Sequence, residues 1–146
     1  MRAKSGFTLV EILIVVVILG ILAAIVIPQF TDASTEAKLS SLCSDLQTLR
    51  SQIELYKIQH NDFPPSLANF VAQMTAKTDI YGAAGTDYGP YLRKIPMNPF
   101  NDMDGIDASG TIGDDGGGWE YDSNGEIHAD DSWDEDGVAG FDHANL

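Results

Sequence analysis

The chain has 146 residues, a formal charge of −14 and 44% hydrophobic residues, enough for one ordinary domain or a smaller domain with an appendage. All eight Lys and Arg lie at or before Lys94, and fourteen of the 22 acids lie from Asp102 onward. Such a polarised chain repels nucleic-acid phosphates and attracts cations, which argues against a nucleic-acid partner.

The N-terminal segment poses the first question. Met1-Arg2-Ala3-Lys4 is a basic tip, and every residue from Ile12 to Ile27 is apolar or glycine. A cleavable secretory signal has an apolar core of about 7–15 residues and a small-residue cut site. This run is longer, and Ala23-Ala24 leads into Ile-Val-Ile-Pro. A plain membrane anchor, with its N-terminus inside by the positive-inside rule, has no use for Glu11, because a carboxylate near the membrane core costs about 2.5–3.5 kcal/mol. A third reading cuts the chain between Gly6 and Phe7. The new Phe7 amine then lies one helical turn from Glu11. In a bundle of parallel copies, Glu11 of one chain meets the amine of another, which offsets both desolvation costs and fixes the axial register. The simpler alternative is a carboxylate that complements its own helix N-terminus, worth about 0.3–1 kcal/mol. That role leaves the basic tip and the length of the run unexplained.

The helical pattern continues beyond Pro28, a residue that removes a backbone donor and kinks helices. Leu39, Leu42, Leu46, Leu49, Ile53 and Tyr56 are spaced 3, 4, 3, 4, 3 with polar residues between them, one apolar stripe on a water-exposed helix. The stripe is too short for an independent coiled coil and needs a partner surface. Residues 7 to about 58 are predicted as one helix about 78 Å long at 1.5 Å per residue, of which roughly the first 30 Å spans lipid. "HNDFPPSLANFVAQM" ends it: Ser66 is placed to cap a second, short helix carrying Leu67, Phe70, Val71 and Met74. "TDIYGAAGTDYG" reads as a glycine-spaced loop. Pro96 and Pro99 allow at most an edge strand in "GPYLRKIPMNPFND". In "GGGWEYDSNGEIHAD", Trp119 and Tyr121 alternate with polar residues, Asn124-Gly125 suits a tight turn, and Ile127 returns. A β-hairpin results, with its aromatic face on the leucine stripe. Cys43, the only cysteine, is expected to be a buried small hydrophobe without a disulfide.

No catalytic set emerges, and no enzyme is expected. His60, His128 and His143 lack zinc spacing, the serines lack a nucleophile elbow, and Gly116-Gly117-Gly118 precedes a strand instead of a phosphate-cradling helix. Calcium is the one chemical candidate. Asp102-Met103-Asp104-Gly105 and Asp134-Glu135-Asp136-Gly137 place alternate acids before a glycine, a pattern that can wrap oxygens around a hard cation, although neither has the glutamate that closes an EF-hand. The candidate ligands are Asp102, Asp104, Asp134 and Asp136.

Gly6-Phe7-Thr8-Leu9-Val10-Glu11, the apolar run and Pro28 together resemble the N-terminal signature of type IV pilins and type II secretion pseudopilins. "GPYLRKIPMNPFND" resembles the segment that leads into the small sheet of major pseudopilins. The resemblance implies a leader peptide at 1–6, a transmembrane and filament-core helix at 7–30, and a soluble head at 31–146 that includes the rest of the helix. The implied fold is α+β, a long helix packed by its second half on a small antiparallel sheet. Also implied are cleavage after Gly6 and N-methylation of Phe7 by a prepilin peptidase, and calcium in a C-terminal loop. The subunit would be a single-pass inner-membrane protein with its head in the periplasm, in a homopolymeric filament extending into the periplasm or outside the cell. Its further partners would be an inner-membrane assembly platform and minor pseudopilins. Removing Arg2 and Lys4 with the leader takes the charge to −16. The short head, the single cysteine and the quoted segments favour a secretion pseudopilin over the major pilin of a type IV pilus. From a different class, a membrane-tethered calcium-binding module is the alternative.

Overall fold

The computed structural model describes residues 7–114 and 116–130, without the side chains of residues 27–32. Two compact units divide between Ala37 and Lys38, and one helix, α1 (Leu9–Gln59), contributes to both. The helix assignment is unbroken through Pro28.

The first unit is helix alone. Leu9–Val26 is 18 residues long, apolar enough to cross a membrane, and none of it is buried within the chain. Ten of these residues are Val or Ile, whose stiff side chains make poor helix formers in water. In lipid, by contrast, the backbone must satisfy its polar groups internally, and a helix does so. The composition therefore suits a membrane and not a water-exposed helix.

The second unit is built on the leucine stripe. Leu42, Leu46, Leu49, Ile53 and Tyr56 are buried, and Leu39 is partly buried against them. The stripe runs one step further than the spacing of aliphatic residues indicates, to His60, which is also buried. Its Nδ1 lies 2.8 Å from the Tyr56 carbonyl and its Nε2 3.0 Å from the Thr78 hydroxyl. A carbonyl only accepts, so Nδ1 is the donor in the first of these bonds. The imidazole also stacks on Tyr56 at 3.7 Å. Asn61 and Asp62 then adopt positive φ, 56° and 64°, and the chain leaves the helix. Cys43 is exposed, contrary to expectation, because it follows Leu42 and falls off the stripe.

A 3₁₀ turn (Leu67–Asn69) leads into α2 (Phe70–Thr75). Phe70 and Met74 are buried, whereas Val71 is exposed. Ser66 occupies the cap position without making a cap bond; its N–H and hydroxyl both donate to Gln73 Oε1. Residues 89–102 form no strand. They deliver Leu92, Ile95 and Phe100 to the core, and buried Asn98 donates from Nδ2 to the Gly118 carbonyl.

Three short strands follow: β1 (Ile106–Asp107), β2 (Trp119–Tyr121) and β3 (Ile127–Ala129). The expected hairpin is β2–β3, with Trp119 opposite Ala129 and Tyr121 opposite Ile127. The sheet is mixed, not purely antiparallel, because β1 pairs parallel with β2. A parallel partner needs a long return connection, and the loop between β1 and β2 supplies it. That loop approaches closely enough that a Cβ on Gly118 would collide with the Met103 carbonyl, which explains the run of glycines. Trp119 and Tyr121 enter the core with Leu46 and Phe70, and their polar tips reach the Pro96 and Pro65 carbonyls at 2.8 Å. Burial pushes the Tyr121 hydroxyl pKa well up.

Candidate functional site

At the head of α1, Thr8 and Glu11 form a reciprocal cap. Glu11 Oε2 accepts the Thr8 N–H at 2.8 Å and the Thr8 hydroxyl at 2.7 Å, and the Glu11 N–H donates to Thr8 Oγ1 at 3.2 Å. This is a capping box, which satisfies helix donors that otherwise lack partners. The simpler role considered for Glu11 is therefore present in the single chain. Both bonds to the carboxylate use Oε2, and among the described residues Oε1 takes none. Phe7 is 77% exposed beside it, and Gly6 lies outside the described residues.

The second site is acidic, and its membership differs from the local motifs. Carboxylate oxygens of Asp107, Asp114 and Asp130 lie within 4.8 Å of one another. Asp107 is the second residue of β1, Asp114 sits in the connecting loop, and Asp130 follows β3. The sheet pairing brings the three together. Asp102 and Asp104 are exposed and outside this group; Asp102 takes a positive φ of 57° at a turn. Asp134 and Asp136 lie outside the described residues.

Asp130, fully buried, organises the loop. Its Oδ1 accepts the N–H groups of Gly113 and Asp114, at 2.8 and 3.2 Å, and its Oδ2 accepts that of Gly117 at 2.9 Å. Asp107 Oδ1 accepts the Ala108 N–H, which leaves Oδ2 facing the open side of Gly116. A Cβ there would sit 2.5 Å from Asp107 Oδ2 and 2.9 Å from Asp114 Oδ1, so the glycine keeps a space between two carboxylates. Beside them Glu120 is 3% exposed. Burial raises its carboxyl pKa, the Gly110 N–H opposes that shift, and the charges of Asp107, Asp130 and Asp114 add to it. None of these four acids has a Lys or Arg partner among the described residues. An oxygen-only donor set with a space at its centre and uncompensated negative charge fits a hard cation. The sequence signal was present only as scattered acids, because no two of these aspartates are close along the chain.

An exposed apolar helix half with a capped acidic N-terminus, joined to a small α+β head, defines a membrane-anchored, pilin-like subunit. Residues 1–27 match the family model for the prokaryotic N-terminal methylation motif. The chain is 34% identical over 112 residues to type II secretion system core protein G of Pseudomonas aeruginosa, covering 77% of this chain and 79% of the relative. Its counterpart in Klebsiella pneumoniae is 32% identical, over 68% of this chain and 71% of the relative. The Vibrio cholerae protein of the same name is 31% identical over 68% of each. No solved structure matched the chain. The chain belongs to the core protein G family of type II secretion systems, and it is a pseudopilin.

Proposed function

We propose that the mature subunit begins at N-methylated Phe7, after a prepilin peptidase removes residues 1–6, and polymerises from the inner membrane. Its head lies in the periplasm, its partners are further copies, an assembly platform and minor pseudopilins, and the growing filament helps to drive secreted proteins outward. The observation that carries this is the state of Glu11. One carboxylate oxygen caps its own helix, the other takes no hydrogen bond among the described residues, and the apolar span behind it is not buried within the chain. In a parallel bundle that second oxygen, Oε1, can accept from the Phe7 amine of a neighbour without breaking the cap.

Intact mass of the protein extracted from native membranes is the test. The expected species lacks Met1–Gly6 and carries one added methyl group; a mature chain that keeps those residues, or starts elsewhere, would end this proposal. Glu11→Ala should still be inserted and cleaved but fail to assemble, with the defect unchanged by calcium.

We also propose that Asp107, Asp114 and Asp130 hold a calcium ion. The ion would supply positive charge among carboxylates that otherwise repel one another, stabilising the head and easing the stacking of subunits of charge −16. Asp134 and Asp136 remain candidates for further oxygens. Thermal melts in calcium and in chelator decide this: identical curves remove the ion.

A further inference from the structure

The chain has six asparagines, and Asn124 alone is followed by glycine. With no Cβ to guard its backbone nitrogen, a glycine leaves the side-chain amide before it open to attack from within the chain. Here the fold requires that glycine. Gly125 takes a φ of 89°, and a Cβ on it would sit 2.8 Å from Pro64 Cβ. The β2–β3 turn therefore keeps a sequence that makes an asparagine chemically labile, and Asn124 itself is exposed.

Both reacting groups are held by one residue, Asp122. The Gly125 N–H donates to the Asp122 carbonyl at 3.2 Å, the long end of the range for such bonds. Asn124 Nδ2 donates to Asp122 Oδ2 at 2.8 Å, and the N–H groups of Asn124 and Glu126 donate to Asp122 Oδ1 at 2.9 and 2.8 Å. A charged acceptor makes these three the stronger bonds of the turn. While they hold, the Asn124 amide and the Gly125 nitrogen are each engaged by Asp122 and not by one another. Reaction then waits on local opening of the turn.

We propose that Asn124 is a modification site that loses its side-chain ammonia to Gly125 through a cyclic imide, with Asp122 as the latch that sets the rate. The Gly125 backbone nitrogen gives its proton to hydroxide and forms a bond to Asn124 Cγ. The Cγ–Nδ2 bond breaks, and Nδ2 takes a proton from water and leaves as ammonia. One water then opens the ring. Attack at Cγ gives aspartate, and attack at the main-chain carbonyl carbon gives isoaspartate, whose chain runs through Cγ. The sum is one water consumed and one ammonia released, with no oxidation or reduction. The product carries a carboxylate where a donor to Asp122 stood, so like charges replace a bonded pair. Isoaspartate also adds a carbon to the main chain in the turn that joins β2 to β3, whose pairing sets Trp119 opposite Ala129. The site depends neither on calcium nor on filament assembly.

The experiment incubates the full chain in detergent micelles, warm and at mildly alkaline pH, in water enriched in ¹⁸O. A protease that cuts after glutamate releases the peptide Tyr121–Glu126, which chromatography and mass spectrometry then resolve. The expected product has the mass of an amide turned to an acid with one ¹⁸O, and it separates into aspartate and isoaspartate forms. Asp122→Ala removes the carboxylate, leaves the carbonyl, and should speed the conversion roughly fivefold to thirtyfold. Asn124→Asp, one of the two products, should melt lower than the wild type near neutral pH; equal melts overturn the consequence for the head. Conversion at Asn124 no faster than at the other asparagines, in both the wild type and Asp122→Ala, overturns the site. Aspartate without isoaspartate overturns the imide route, and an unchanged rate in Asp122→Ala overturns the latch. If that variant does not fold, the wild type in guanidinium chloride decides. Unfolding must speed conversion at Asn124 above its rate in the folded protein; equal rates overturn the latch.

Discussion

Leu13 and Leu46 belong to one unbroken helix, yet Leu13 is 55% exposed and Leu46 only 1%. The first half of α1 is apolar on every side, and the second half is apolar on one. An all-round apolar helix has no aqueous face and belongs in lipid or a filament core; a striped helix has one face for water and one for a head. The same backbone thus meets two solvents, and side-chain pattern, not secondary structure, separates the two roles.

The sharpest way to break that comparison is in the head. Trp119→Ala removes a fully buried ring and its bond to the Pro96 carbonyl, and should lower stability in denaturant melts by about 3–5 kcal/mol. A loss under about 1 kcal/mol would mean that the aromatic face does not form the core. Next in size is the leucine pair itself. Leu46→Ala should cost about 2–5 kcal/mol, while Leu13→Ala should leave the head melt within about 0.5 kcal/mol. Equal effects would mean that the apolar half also packs on the head.

Two glycines extend the comparison at smaller amplitude. Gly118→Ala forces a Cβ against the Met103 carbonyl, whereas nothing lies within 4 Å of a Cβ on Gly20. The first should destabilise the head by about 1–3 kcal/mol, and the second should leave the head melt unchanged. The smallest effect belongs to the β2–β3 turn. Burial alone would raise the Asp122 pKa, but hydrogen bonds from Glu126, Asn124 and Gly125 outweigh it and lower the pKa below the ordinary aspartate range. A lowered folded value stabilises above the unfolded pKa, and that stabilisation is lost as pH falls through the folded value. Asp122→Ala should therefore cost about 1 kcal/mol near neutrality. The gap to wild type should close in acid, in melts run at pH 7 and stepwise below about 4.

Much of the head was legible one element at a time. The leucine stripe marked the buried face of α1 because a helix presents every third or fourth residue to the same side. Trp119, Tyr121 and Ile127 marked the hairpin through strand alternation. Cys43 was misplaced because its composition was weighed above its position; the register of the stripe already put it outside. His60 was overlooked as a continuation of that stripe because a polar ring is not counted as apolar, although Tyr56 and Thr78 satisfy both of its nitrogens. For the candidate cation site, acids close together in sequence pointed to Asp102 and Asp104, which lie outside the group formed by Asp107, Asp114 and Asp130, and to Asp134 and Asp136, which lie outside the described residues.

By itself the sequence determined the long helix, the all-round apolar pattern of its first half and the stripe of its second, and the hairpin, because each rests on a periodicity or motif contained within a few turns of chain. Only the tertiary structure decided that β1 lies parallel to β2, that Glu120 is buried with one oxygen unpaired among the described residues, and that Asp107, Asp114 and Asp130 converge. Those acids come from separate segments, and strand register and the close approach of the glycine loop, which no local pattern encodes, bring their oxygens within reach of one ion.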